Sequence, residues 1–164
     1  MLLDVLIWWL KKCERSLIVT SLIVLFISVY SDDDKMLHNK KANECNLYIL
    51  HTSILSYSEE YEGVCPPDLG VLFDSGFVKG AIFVSPNSST KIPSNGNDVR
   101  NGLCDYLYFG KDKVIIDESG KIKASIPLLS TKKGVYPDAY LILYSERIIK
   151  EVEKIPNNIT IPVK

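Results

Sequence analysis

The chain has 164 residues, with 19 lysines and arginines against 20 aspartates and glutamates and a net charge of −1. Its cations are scattered rather than clustered, so there is no electrostatic footprint for nucleic acid and no such partner is expected. Four cysteines, none at CxxC spacing, and only His38 and His51 as histidines give no zinc constellation, and no metal or cofactor is expected.

The most informative stretch is Ser16 to Tyr30, SLIVTSLIVLFISVY, fifteen positions without a charge, preceded by KKCER and followed by SDDDK. Cations before an apolar run and acids after it predict a cytoplasmic N-terminus and an exported body. Fifteen helical residues cover roughly 22 Å of a hydrocarbon core of about 30 Å. The shortfall is met at the interfaces. Lys11, Lys12 and Arg15 can snorkel, Trp8 and Trp9 suit the inner interface, and Tyr30 suits the outer one. A single-pass anchor is the first reading. The alternative is a cleaved signal peptide, with Val29 and Ser31 small enough to precede a cut.

Beyond the acidic step the apolar residues Leu47, Leu50, Ile54, Tyr57 and Tyr61 recur at spacings of three and four, which predicts an amphipathic helix from about Lys40 to Tyr61, ended by Gly63. The acids Glu59, Glu60 and Glu62 at its end argue against a helix lying on a membrane surface. PPDLGVLFDSGF reads as a short helix starting at Pro67 or Asp68, with Leu69, Leu72 and Phe73 on one side and Gly76 as a left-handed stop. AIFVS then reads as a strand closed by Pro86. Asn87 to Gly102, rich in Ser, Asn, Pro and Gly, reads as a mobile surface excursion. DYLYF, KVIID, KASIPLL, AYLILYS and RIIKEV read as four or five antiparallel strands, and PNNITIPVK as an extended tail with little core.

Cys13 falls on the cytoplasmic side of the apolar run, whereas Cys45, Cys65 and Cys104 fall in the exported part, where disulfides persist. A Cys65–Cys104 bridge would close about 40 residues and contribute about 4 kcal/mol on the chain-entropy account, leaving Cys45, inside a helix, as the free thiol.

The residues declare no reaction. Asp117-Glu118 sits at a turn and Glu59-Glu60 at a helix end, where solvated carboxylates are routine. His51 lies at the edge of the apolar stripe, as a packing histidine does, and no Gly-x-Ser-x-Gly elbow occurs. No enzyme is expected.

The order of apolar segment, amphipathic helix, short helix and antiparallel sheet resembles type IV pilin-like proteins. NECNLYILHTSILSYSEEYEGVCPPDLGVLFDSGFVKGAIFVSP is similar to the segment of the exported, pseudopilin-like family in which an Asn-Leu helix ends in a Tyr-rich turn, followed by Pro-Pro, a Leu-x-x-Leu helix and a Phe-Val-x-Pro strand. That family continues with an Asp-Tyr strand, matched by Asp105-Tyr106. It closes with His, nine residues and Asp-Gly, a spacing held here by Tyr136 and Glu146-Arg147. The resemblance covers roughly Asn43 to Val152. It implies an α+β fold in which a membrane helix continues into an amphipathic helix packed on a 4-5-stranded antiparallel sheet.

Two departures bear on function. Polymerising pilins carry a cleavage glycine before the apolar helix and a glutamate five positions after the cut. Here the first glycine is Gly63 and no acid lies between Ser16 and Tyr30. A carboxylate in a membrane helix is tolerated only where a partner neutralises it, so its loss removes the docking device. Glu146-Arg147 also lacks the positive-φ preference of Asp-Gly, so the last turn is expected to be longer or of another type.

The expectation is therefore three regions: 1–31 as a cytoplasmic stub and transmembrane segment, 32–154 as an exported pilin-like domain, and 155–164 as a tail. The body would sit on the exoplasmic side of the cell membrane. It would act through contacts with other envelope proteins, as an accessory of a type II secretion or type IV pilus apparatus. The alternative function is a secreted, non-catalytic binding module using the loop 87–102.

Overall fold

The structure is a computed structural model that describes residues 36–86, 88–135, 139–156 and 159. The span Ser16–Tyr30, the interface residues Trp8, Trp9, Lys11, Lys12, Arg15 and Tyr30, and Tyr136 lie outside the described residues. Among the described residues no helix is long and apolar enough to cross a membrane. The chain divides into two units, Met1–His38 and Asn39–Lys164, and the second holds the sheet and its core.

The architecture is α+β, with helices on a four-stranded antiparallel meander of order β1-β2-β3-β4. Helix α1 is continuous over residues 36–60 among those described. Its stripe is the one the spacing predicts: Leu47, Leu50 and Ile54 are fully buried, Tyr57 is half-buried, and Tyr61, half exposed, stacks on Tyr57 at 4.1 Å between ring centroids. Gly63 ends this region at φ +82°, its amide donating to Ser58 O at 2.8 Å. Helix α2 (Leu69–Asp74) is capped by Asp68, whose carboxylate accepts from Val71 N at 3.0 Å, and is stopped by Gly76 at φ +77°.

The strands are β1 (Tyr106–Tyr108), β2 (Pro127–Thr131), β3 (Tyr140–Tyr144) and β4 (Ile149–Val152). Tyr106 pairs with Thr131, Leu129 with Leu143, and Leu143 with Ile149. Along β3 the pleat sends alternate residues to opposite faces. Leu141 and Leu143 join the main core with Leu47, Leu50, Ile54, Leu72 and Phe83, while Ile142 joins a second cluster with Phe109 and Ile159. The expectation that the last residues carry little core thus gives way at Ile159, which is buried. Both sheet faces need cover, and Ile155 and Ile159 supply it on the side away from α1.

Three segments differ from the sequence reading. AIFVS is not a strand: Gly80–Phe83 is a 3-10 helix, and the backbone after it is taken up by side chains instead of a ladder. Asn46 donates to Val84 O at 3.1 Å, and the Asp105 carboxylate accepts from Ser85 N at 2.8 Å. KVIID makes only isolated bridges, Val64 with Val114 and Ile116 with Ile122.

The third is the stretch 87–102, which contains helix α3 (Gly96–Arg100), docked on α2. Asn95 caps it by accepting from Asp98 N, and Val99 is buried. Gly96 N donates to Asp74 at 2.9 Å, and a Cβ on Gly96 would lie 2.3 Å from that carboxylate. Arg100 clamps both Asp68 and Asp74 at 3.0 Å. The excursion is anchored. Its Asn-Gly-x-Asp-Val-Arg pattern, a cap followed by an acid in the first turn and a cation in the last, was the signal that could have found it.

The β3–β4 turn is the longer type expected. Arg147 N donates to Tyr144 O at 3.0 Å and Tyr144 N to Ile148 O at 2.9 Å, enclosing the three residues Ser145, Glu146 and Arg147. Arg147 takes the left-handed position at φ +64°, where glycine is usual.

Candidate functional site

Glu59, Asp117-Glu118 and the exposed aliphatic residues Val64, Val114 and Ile122 converge at the C-terminal end of α1. Past Tyr61 the chain turns through two left-handed residues, Glu62 at φ +54° and Gly63. This turn lays Gly63 O against the amides of Ile115, at 2.9 Å, and Ile116, while Cys65 N donates to Lys113 O at 2.8 Å. The approach is close: a Cβ on Gly63 would lie 2.3 Å from Ile116 O. The helix end is thereby stitched to the irregular hairpin 114–122.

That stitching leaves an open groove of about 1220 Å³ between helix and hairpin. Its floor is aliphatic. Leu55 and Ile116 are half-buried, whereas Val114 is 40% and Ile122 46% exposed. Bridging sets Ile116 beside Ile122 and Val114 beside Val64, itself 39% exposed, so apolar residues from separate segments are contiguous. Scattered exposed aliphatics are ordinary, but a contiguous patch rimmed by polar residues marks an interaction surface. The rim carries Glu59, Glu62, Asp117 and Glu118, with Lys123 as the cation among the lining residues. Both acid pairs of the sequence reading thus meet here, except for Glu60. That residue lies instead with the stacked Tyr57 and Tyr61, Glu62 and Asp112 around a neighbouring recess of about 430 Å³.

The Asp117 carboxylate is occupied by its own turn. Oδ1 accepts from Ser119 Oγ at 2.6 Å, Ser119 N at 2.9 Å and Lys121 N at 2.9 Å. The Ser119 hydroxyl and then the Lys121 amide hold this acid below the ordinary carboxylate range, so it contributes fixed negative charge. No group of three or more His, Cys, Asp or Glu side chains among the described residues is arranged to hold a metal ion.

His51 is not at this groove. It is buried on α1, and its Nε2 lies 2.8 Å from Ser145 O. A carbonyl only accepts, so Nε2 carries the proton and Nδ1, buried without a hydrogen-bond partner, is the bare nitrogen. Burial pushes the imidazole pKa below its ordinary value, with Arg147 adding to the shift and the Ser145 bond and Glu146 opposing it. The Ser145 hydroxyl faces elsewhere, donating to Lys123 O and accepting from Ile126 N at 3.2 Å. His51 and Ser145 are therefore a structural clasp between α1 and the last turn, and not a nucleophile with its base.

Cys65 and Cys104 are both buried free thiols in the structure, not the expected bridge, and Cys45 is an exposed free thiol. Each buried sulfur has its own surroundings: Ser58 and Tyr108 beside Cys65, and the Tyr106 backbone beside Cys104. Burial raises the Cys65 pKa and pushes Cys104 up to about 11, which leaves little thiolate at neutral pH.

Compared with known proteins, the chain matches no family model, no curated protein and no solved structure.

Proposed function

We propose that this chain is a membrane-anchored structural protein of pilin-like build. Its span is Ser16–Tyr30, its body is exoplasmic, and it acts through protein contacts as an accessory of a type II secretion or type IV pilus apparatus. The observation that carries the reading is the charge-flanked apolar run, set just before an amphipathic helix whose apolar stripe is consumed by its own sheet. With Leu47, Leu50 and Ile54 buried in the domain, α1 has no apolar stripe left to lay on a membrane. An anchor then has to come from the residues before it. The body offers surfaces for contact, and Asp117, the histidine and the buried thiols each have a structural account, which supports a non-catalytic role.

The test is membrane fractionation of the expressed full chain with a salt wash, combined with intact-mass measurement. The expected result is an uncut chain that stays with the membrane, and a reporter fused after Lys164 that is active only outside the cytoplasm. A reporter active only in the cytoplasm overturns the topology. A soluble product beginning near Asp32 replaces the anchor with a secreted binding module. Co-expression with prepilin peptidase is expected to leave the mass unchanged, because no glycine lies between Met1 and Ser16 for it to cut at, and the sheared surface fraction empty, because Ser16–Tyr30 contains no acid to draw a subunit into a filament. A shortened chain in that fraction would make it an active filament subunit.

A further inference from the structure

We propose that the groove at the end of α1 docks a segment of another polypeptide that carries lysine or arginine beside aliphatic side chains. The inference rests on the structural-protein reading for its setting and supplies the chemistry of the contact which that reading requires.

Two independent features of the groove select this occupant. Its floor of Leu55, Val114, Ile116 and Ile122 keeps aliphatic surface in water in the free protein, and an apolar side chain laid on it would release that water. Its rim presents four carboxylates, Glu59, Glu62, Asp117 and Glu118, against the ammonium of Lys123, on a chain whose net charge is only −1. Negative charge is therefore concentrated at this face. Such a rim steers cationic partners toward the groove and repels anionic ones, including nucleic acid and acidic lipid headgroups. Asp117 is held ionised by its turn, so part of this field is fixed in place before any partner arrives.

Glu62 occupies a left-handed conformation that costs a non-glycine residue stability, and in doing so it keeps a carboxylate at the junction of the groove and the Tyr57–Tyr61 recess. Glycine would fit that turn with less strain but would remove the charge.

The experiment uses the full chain, in nanodiscs of zwitterionic lipid if it stays with the membrane and in lipid-free buffer if it does not, titrated with a peptide of three Lys-Leu-Gly repeats and corrected with the matching blank. Binding is followed by calorimetry and by amide shifts of Leu55, Ile116 and Ile122. Saturable binding is expected, weakened by salt, and at least about tenfold tighter than for the corresponding Lys-Ser-Gly and Glu-Leu-Gly peptides. Glu59→Lys combined with Glu62→Lys, and separately Ile122→Ser, are each expected to weaken it by about tenfold or more, whereas Glu153→Gln leaves it unchanged. All of these positions are exposed, and thermal melts verify folding of each variant. Equal binding of the Lys-Ser-Gly peptide, absence of saturation, or amide shifts elsewhere in the unmodified chain would overturn the proposal. Concentration-dependent self-association abolished by Ile122→Ser would assign the groove to a second copy instead and would also overturn it. The titration reads the groove whatever becomes of the N-terminal run, and fractionation reads the anchor whatever binds the groove, so either failure is distinguishable from the other.

Discussion

Helix α1 is held along its middle by one kind of force and along its two sides by another. The middle line, Leu47, Leu50 and Ile54, is wholly buried and aliphatic. The sides are polar seams. On one, Tyr106 Oη donates to Asn43 at 3.0 Å and accepts from Asn46 at 3.1 Å, and Asn46 also donates to Val84 O. On the other, Lys40 pairs with Glu151, the Arg147 guanidinium lies 5.1 Å over the Tyr48 ring, and His51 donates to Ser145 O. Apolar contact is non-directional, so the middle line supplies stability without fixing where the helix sits along the sheet. Hydrogen bonds have fixed donors and acceptors, so the seams set register, and the buried His51 makes the β3–β4 side sensitive to pH while the aliphatic line is insensitive to it.

The contrast is broken most severely in the middle line. Leu50→Ala is expected to cost about 2–5 kcal/mol in chemical denaturation, and Ile54→Ala a similar amount, by lost transfer energy plus a cavity. Ser58→Ala, on the same helix, removes only a hydroxyl that donates to Ile54 O and should cost roughly 1 kcal/mol or less. Equal small effects at Leu50, Ile54 and Ser58 would mean that the stripe is not the domain's core.

Gly63→Ala comes next. The added Cβ meets Ile116 O in a left-handed backbone, so either the turn moves or the hairpin 114–122 does, at a cost expected to exceed about 1 kcal/mol. Amide shifts at Ile115 and Ile116 should report the movement. A variant as stable as the parent with those shifts unchanged would mean that the helix end and the hairpin are not stitched together through Gly63.

The pH dependence of the β3–β4 seam is smaller and has a definite sign. The folded state holds the His51 pKa below its ordinary 6.5, chiefly by burial, so the neutral form is favoured on folding. Its contribution is fully present above about pH 6.5 and is lost as pH falls through that value toward the lowered one. Denaturation midpoints measured across this window should decline for the parent, and His51→Gln should flatten the decline. Parallel curves for the two would show that His51 remains solvated.

The smallest effect is expected at Arg147. Arg147→Gly relieves the left-handed strain but removes the cation from the face of Tyr48, two terms of about 0.5–1 kcal/mol each and of opposite sign. Arg147→Ala keeps the strain and loses the contact, so it should be less stable than the glycine variant by about 1 kcal/mol or less. If alanine proves the more stable of the two, the turn is not left-handed at this position.

Legibility in the sequence followed the range of the interactions involved. The α1 stripe, the start of α2 at Pro67 or Asp68, the Gly63 and Gly76 stops and an antiparallel meander rest on periodicity and local turn chemistry, which a single segment displays by itself. The acidic groove was not legible. Glu59 and Asp117 lie far apart in sequence, and only the Gly63 turn, by presenting its carbonyl to Ile115 and Ile116, brings them to one surface. The anchoring of 87–102 was hidden for the same reason, since Asp74 and Arg100 meet across an intervening helix and turn.

The sequence by itself determined the charge-flanked run, the helix and its stripe, the glycine stops, and an antiparallel sheet. These depend on neighbours three or four residues away, or on the alternation of a single strand. The tertiary structure decided that AIFV would coil rather than pair, that Ile159 would cover the second sheet face, that Cys65 and Cys104 would be buried apart from a bridge, and that four carboxylates would ring an aliphatic floor. Each of those outcomes depends on which distant backbone or side chain satisfies a buried polar group or covers an apolar face. That competition is settled only when the whole chain packs.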